Sequence, residues 1–437
     1  MTDEIACGRW IIEGGRPLLG EVEIGGGKNP AVAVIAASLL CDEPVTIENL
    51  PYIEDVRVMI ELLECLGAKI SRNGRVLCVD PRTVNRVAPR YDLAHALRAS
   101  SYLLGALLGR WGQAEAPYPG GCDIGERALD QHIKGMRALG AAVTDQYGVI
   151  RAKVGRGGKL VGSEIYLDMV TVGGTINLLL AACRAKGQTI LFNAAKEPHV
   201  VEVANFLNSM GARIKGAGTD VIRVNGVEKL HGSTYAIIPD QIETGTMMIA
   251  AAATNGDVTI RGCIPTHMEA LSAKLLEMGV RVDERDDVIR VRSTGIRRAL
   301  TLKTQVYPGF PTDLQQPMTA MLSTARGVSL ITETIFESRF KHLRELARMG
   351  ARTQVMDRVA VIEGVPELTG ATLSATDLRA GAALVVAGLM ARGSTDILNP
   401  HYIDRGYERF ADKLNSLGAR IVREDQAESG TSARTGA

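Results

Sequence analysis

Two kinds of helical pattern alternate along the chain. The first is apolar on nearly every side and rich in small residues: "AASLLCDEPVTI", "LLGALLGRWGQAEA", "LLLAACRAKGQTIL", "MIAAAATNGDVTI", "MTAMLSTARGVSLI" and "ALVVAGLMARGSTDI", each running into a turn and a strand. A helix without a polar face has to be buried. The second kind is amphipathic and ends on glycine, in "ECLGAKI", "RALGAAV", "NSMGARI", "LEMGVRV", "ARMGART" and "NSLGARI". These glycines fall at 67, 140, 211, 279, 350 and 418, with spacings of 73, 71, 68, 71 and 68. Glycine just past a helix end takes the left-handed conformation that closes the last turn, and the alternating residues after it predict a strand. One or two such endings carry no information. Six at near-constant spacing predict a repeat with one buried helix, one amphipathic helix and several strands. The period alone leaves open one ring of six or two groups of three, although 437 residues exceed one ordinary core.

Composition narrows the function classes. The net charge is +1, which argues against a nucleic-acid partner held by bulk electrostatics. An anionic ligand must then be met by locally gathered cations. Aromatics are only 4%, as suits cores of closely packed small-residue helices. Seven cysteines (Cys7, Cys41, Cys65, Cys78, Cys122, Cys183, Cys263) form no CxxC pair and no Cys/His metal spacing. Their odd number and apolar settings suit reduced core thiols in a cytoplasmic protein. The start "MTDEIACGRW" lacks a signal-peptide pattern, and no apolar run reaches the roughly 18 residues that span a bilayer. We therefore expect no membrane partner. The polar tail 424–437 is expected to be disordered.

Chemistry-bearing residues cluster where the buried helices begin: "EIGGGKNPA", "ALRASSY", "TVGGTIN", "IETGTMM", "FPTDLQQPM" and "ATDLRAGA". In the first, Val22 and Ile24 predict a strand, Gly25–Gly27 a turn, Asn29 a cap and Pro30 the first helical residue. Lys28 stands at the junction, where exposed N–H groups and the helix dipole attract phosphate or carboxylate. The spacing is not that of a Walker A loop, and "GGGKN" alone is read as easily as a capped turn beside a solvated lysine. Equivalent places carry Arg98, Asp313, Asp377 and Arg379. Repeats arranged with rotational symmetry would bring these starts together in one positively charged pocket. Arg339, Arg405 and Arg127 also stand beside turns, where single arginines are by default surface ion-pair partners.

The stretch "YPGGCDIGERALDQH", 118–132, puts Cys122 on a Pro-Gly-Gly turn. A passive loop thiol is one reading. A movable lid with a proton-active thiol, its pKa lowered by Arg127, is the other. Asp130 and His132 fit the start of a helix over 129–138.

Taken together, "GGGKN", "LRAS", "PGGCDIGERALDQH", "FPTDLQQ", "ESRFKH", "TDLRA" and "IDRGYE" closely resemble the UDP-N-acetylglucosamine enolpyruvyl transferases, in order, from about residue 10 to 422. The resemblance implies an α+β fold, a two-domain inside-out α/β barrel of six βαβαββ repeats in two groups of three. One domain would be 28–238, the other 1–27 plus 239–437, with a cleft that closes on substrate.

The resemblance further implies transfer of the enolpyruvyl group of phosphoenolpyruvate to the 3-hydroxyl of UDP-N-acetylglucosamine, by addition and then elimination of phosphate. This is the first committed step of peptidoglycan precursor synthesis. Asp313 would be general base, and Cys122 would donate the proton to the methylene or assist product release. Lys28, Arg127 and Arg405 would hold the phosphoenolpyruvate anions, while Arg339, Asp377 and Arg379 complete the anionic site. Asn29, Arg98, loop 127–131 with Asp130, and the segment Val170, Thr171, Val172 and Gly173 would place the UDP-sugar. No metal or organic cofactor is implied, and the oligomeric state is left open. Ala128, Met169, Gly27 and Pro30 depart from the family's usual residues, which bears on nucleotide affinity. The competing readings are enolpyruvyl transfer to shikimate 3-phosphate, whose sister family lacks the cysteine loop, a non-catalytic UDP-sugar-binding paralogue, and a ring-like clamp on nucleic acid.

Overall fold

The computed structural model describes residues 8–424 apart from positions 119, 121–124, 126–127, 156–157 and 296. All six repeat glycines have φ between 90° and 103°, the left-handed conformation their spacing predicts. Each stands between an amphipathic helix, such as Glu54–Leu66 or Pro198–Ser209, and a strand.

The apolar helices are buried along nearly their whole length: Lys28–Ala37, Tyr102–Trp111 and Val172–Ala182 in one core, Gln241–Ala253, Gln315–Leu322 and Leu378–Met390 in another. They pack close because small residues line the contacts. A Cβ on Gly105 would stand 2.3 Å from the Asn177 carbonyl oxygen. Five four-stranded sheets and one three-stranded sheet, among the described residues, wrap these helices. Strands such as Val221–Asn225 alternate buried and exposed side chains, as a sheet with one solvated face requires. The result is two groups of three units, with helices inside and sheets outside.

The units follow the βαβαββ order with informative exceptions. Among the described residues the second has no leading strand, and its sheet Gln113–Pro117, Val149–Lys153, Ala142–Gln146 has three strands. The last is completed by Arg9–Glu13, which lies between Ser394–Leu398 and Arg420–Glu424. Glu424, expected to open a disordered tail, therefore ends a strand, and the rest of that tail lies outside the described residues.

Two leading strands are exchanged between the cores. Leu19–Glu23 pairs in parallel with Asp257–Arg261 of the second core, and Thr234–Ala236 with Val45–Glu48 of the first. The chain thus passes between cores twice, and the two passages run side by side. Gly27 N–H donates to the Ile238 carbonyl at 2.8 Å and Asp240 N–H to the Gly25 carbonyl at 3.0 Å.

The cysteines only partly match expectation. Cys41, Cys183 and Cys263 are buried, but Cys65 and Cys78 are half-buried, on an amphipathic helix and a sheet strand whose outer faces meet solvent; all five are unpaired. Burial pushes the Cys183 thiol up to about 12. No helix among the described residues is long and apolar enough to cross a membrane.

Candidate active site

The six buried helices begin at one place. Residues from all six starts, among them Lys28, Arg98, Val172, Gln241, Asp313 and Arg379, line a single cavity of about 980 Å³ between the two cores. Every candidate site residue within the described set borders it, including Asn29, Asp130, Val170, Thr171, Gly173, Arg339, Asp377 and Arg405. Cys122 and Arg127 lie outside the described residues.

The described lining of the pocket is not predominantly cationic. It carries six lysines and arginines and seven aspartates and glutamates. Four of these cations are paired with two carboxylates. Lys28 Nζ lies 2.8 Å from Asp55 Oδ2, and Arg405 Nε lies 2.9 Å from Asp55 Oδ1. Burial opposes the Asp55 charge, but Lys28 and Arg405 outweigh it and hold the carboxyl below the usual carboxylate range. The second cluster surrounds Asp313. Arg339 Nη2 is 2.6 Å from its Oδ1, and Arg379 Nη2 is 3.1 Å from its Oδ2. Burial again opposes the charge, and the two arginines, with Lys28 beyond, hold Asp313 well below the ordinary range. Its side chain stays 26% exposed, open to the cavity, while Arg339 and Arg379 are buried. Arg339 Nε and Arg379 Nη1 are buried without a hydrogen-bond acceptor among the described residues, a condition that an anionic ligand or ordered water would relieve.

Local structure reassigns several roles. The cap of the first helix is Gly27, with Lys28 as first helical residue and Asn29 and Pro30 inside the first turn. Asn29 is not needed as a cap because Asp240 Oδ2 accepts the Lys28 N–H from across the double passage, at 2.9 Å. Asp377 is itself a cap: Oδ1 accepts from Arg379 and Ala380 N–H at 3.0 and 2.9 Å, which fixes the start of the helix carrying Arg379. Thr171 caps Val172–Ala182 through Gly174 N–H at 3.3 Å. The helix after the cysteine loop runs Asp130–Ala138, one residue shorter than expected. Its His132 is buried, and burial, reinforced by Arg98, pushes the imidazole down to about 4. Neutral His132 sits with Nδ1 2.8 Å from Asn177 Nδ2, which makes it a packing and bonding residue of the first core.

Sequence reasoning missed Asp55, Glu197, His199 and Gln241, all on the cavity wall. Asp55 opens an amphipathic helix, where a carboxylate is ordinarily explained by the helix dipole, so no local signal separated it from its neighbour Glu54. His199 is buried in the first turn of Pro198–Ser209, again a position with a routine explanation.

Comparison with known proteins agrees with this geometry. Residues 12–414 match the family model for EPSP synthase (3-phosphoshikimate 1-carboxyvinyltransferase). UDP-N-acetylglucosamine 1-carboxyvinyltransferase 3 of Caldanaerobacter subterraneus subsp. tengcongensis is 55% identical over 95% of this chain and 99% of its own. The UDP-N-acetylglucosamine 1-carboxyvinyltransferase of Clostridium botulinum is 54% identical over 94% and 99%. Among solved structures, the enolpyruvyl transferase NikO from Streptomyces tendae superposes with a TM-score of 0.85 at 28% identity, covering 97% of this chain and all of that one. EPSP synthase from Acinetobacter baumannii gives 0.72 at 19% identity over 95% and 100%, a likeness of fold alone. With two helix-centred cores, one shared cavity and this degree of identity along nearly its whole length, the chain belongs to the EPSP synthase family of enolpyruvyl transferases, in its UDP-N-acetylglucosamine 1-carboxyvinyltransferase branch.

Proposed function

We propose that this enzyme transfers the enolpyruvyl group of phosphoenolpyruvate to the 3-hydroxyl of UDP-N-acetylglucosamine and releases phosphate, in the service of peptidoglycan precursor synthesis. The observation that carries the reading is one cavity, walled by both cores, in which Asp313 stands among Lys28, Arg339, Arg379 and Arg405. In the addition step the sugar oxygen bonds to C2 of phosphoenolpyruvate, its proton passes to Asp313, and a second proton is delivered to C3. Elimination removes a C3 proton and expels phosphate, restoring the double bond. Cys122 is our candidate for the proton at C3 or for aiding product release.

Asp313 gripped by two arginines is a weak base. An anionic substrate that draws Arg339 and Arg379 toward itself loosens that grip and raises the basicity of Asp313 as the reactants meet. Lys28, Arg405 and Arg127 are assigned to the phosphate and carboxylate, which they stabilise most as charge builds in the tetrahedral intermediate. Asn29, Arg98, Asp130 and the Val170–Gly173 segment are assigned to the nucleotide sugar. Asp377 contributes by fixing Arg379. We take the two cores as two domains, 28–238 and 1–27 plus 239–437, and place the enzyme in the cytoplasm, in keeping with its unpaired described cysteines.

The test is phosphate release from phosphoenolpyruvate that depends on UDP-N-acetylglucosamine. Asp313→Ala should lower turnover at least ~100-fold, the scale of losing a general base. Unchanged turnover removes Asp313 from the mechanism. Phosphate release with shikimate 3-phosphate instead, or none with either acceptor, would favour the sister activity or a non-catalytic paralogue.

A further inference from the structure

One carboxylate joins the cations of the two cores. Asp55 is 3% exposed and sits in the first turn of Glu54–Leu66, packed in the first core. One of its oxygens takes Lys28, which opens the first core's buried helix, and the other takes Arg405 of the second core. Its own N–H donates to the Arg405 carbonyl at 3.4 Å.

Three residues beyond Arg405 the same segment is tied a second time. Glu408 is buried and accepts from Tyr52 N–H at 3.1 Å and from Arg75 Nη2 at 2.6 Å, both of the first core. The stretch 405–408 is therefore a strap of the second core lying on residues 52–55 of the first. Lys28 and Arg405 keep 17% and 18% of their side-chain surface exposed, and both border the cavity.

Two like charges facing one point repel, more strongly where water is excluded. A carboxylate between them removes that cost. It also sets their directions, because each of its oxygens engages one cation.

We propose that Asp55 is a positioning residue that assembles the phosphoenolpyruvate anion site from the two cores, by aiming Lys28 and Arg405 at the same point when the cleft is closed. The proposal rests on the enolpyruvyl-transfer reading. Asp55 acts through the two cations and does not touch the substrate. Without its charge, Lys28 and Arg405 separate, the strap is held by Glu408 and by its backbone and Ala96 bonds without fixing the Arg405 guanidinium toward Lys28, and the anion is met by one cation at a time. Among the nucleotide-sugar residues Asn29 adjoins Lys28, while Arg98 and the Val170–Gly173 segment open other helices and are left in place.

The experiment uses the full chain with each substrate varied in turn, for Asp55→Asn, Arg405→Lys and the double variant, with melting curves to show that each is folded. Asp55→Asn should raise the KM for phosphoenolpyruvate at least tenfold and lower kcat, with the KM for UDP-N-acetylglucosamine changed less than twofold. The double variant should be no more than about twofold worse than the worse single one, since both disrupt the same unit. An equal rise in both KM values, no rise, or effects that multiply independently would overturn the proposal. If Asp55→Asn does not fold, Asp55→Glu serves: the added methylene displaces both oxygens, and an unchanged phosphoenolpyruvate KM refutes the positioning role. Calorimetric titration with phosphoenolpyruvate alone separates the two levels of inference. A wild-type protein that binds it but transfers nothing to UDP-N-acetylglucosamine overturns the functional reading, while equal binding by wild type and Asp55→Asn overturns this one.

Discussion

Asp240→Ala is the substitution whose consequence is most fully prescribed by the structure. Asp240 is 7% exposed and its carboxylate serves two helices in different cores. Oδ1 accepts from Ile242 and Glu243 N–H at 2.7 and 3.0 Å, capping Gln241–Ala253. Oδ2 accepts from Lys28 N–H at 2.9 Å, at the head of Lys28–Ala37. Losing an N-cap costs about 0.5–2 kcal/mol, and leaving the Lys28 N–H without an acceptor costs about 1–3 kcal/mol. Asp240→Ala should therefore destabilise by about 1.5–5 kcal/mol. Asp240→Asn separates the shares: its amide oxygen can still cap Gln241–Ala253, while its NH2 group faces the Lys28 donor, so only the second cost remains. Urea unfolding followed by far-UV circular dichroism measures the totals. Hydrogen exchange read by mass spectrometry locates them, with faster exchange expected in the first turns of both helices for Ala and of Lys28–Ala37 alone for Asn. A change below about 0.5 kcal/mol, within the noise of distant surface substitutions, would refute the shared-cap argument. So would faster exchange in one helix only for the alanine variant.

Two further outcomes follow from packing and burial. Gly105→Ala sets a Cβ 2.3 Å from the Asn177 carbonyl and 2.5 Å from its Oδ1, so the first core's helices must part at a cost of about 1–3 kcal/mol; calorimetry should show a Tm lower by several degrees, and an unchanged Tm denies the close approach. Glu243 is buried, and burial pushes its carboxyl from the ordinary 4.5 up to about 7 against the pull of Lys413. Because the folded value lies above the unfolded one, its contribution is full below about pH 4.5 and is lost as pH rises through about 7. Glu243→Gln should flatten the stability profile over that window; a profile as steep as that of wild type would show that the Lys413 pair holds Glu243 ionised throughout.

The helices and their ends were readable because each is encoded within a dozen or so residues. The glycines at 67, 140, 211, 279, 350 and 418 needed only the local rule for ending a helix, and "LLLAACRA" had to be buried because it has no polar face. Part of the cavity's membership was readable too, since equivalent helix starts under a rotational arrangement converge, but Asp55, Glu197, His199 and Gln241 were not. The double passage was less accessible: the parallel pairing of Leu19–Glu23 with Asp257–Arg261 joins strands more than two hundred residues apart, and nothing within either strand names its partner. The Asn29 cap failed for the same reason, because the acceptor of the Lys28 N–H comes from Asp240.

By itself, then, the chain's pattern determined the repeat, the buried helices, the turns that end them and the residue types gathered at their starts. All of these depend on backbone preferences and on apolar surface within a short window. Only the tertiary structure decided which charge meets which: that Lys28 and Arg405 share Asp55, that Asp313 lies between Arg339 and Arg379, and that Asp377 is a cap. Asp55 and Arg405 stand 350 positions apart. The basicity of a carboxylate is set by burial and by the charges within a few ångströms, and those neighbours are chosen by the fold.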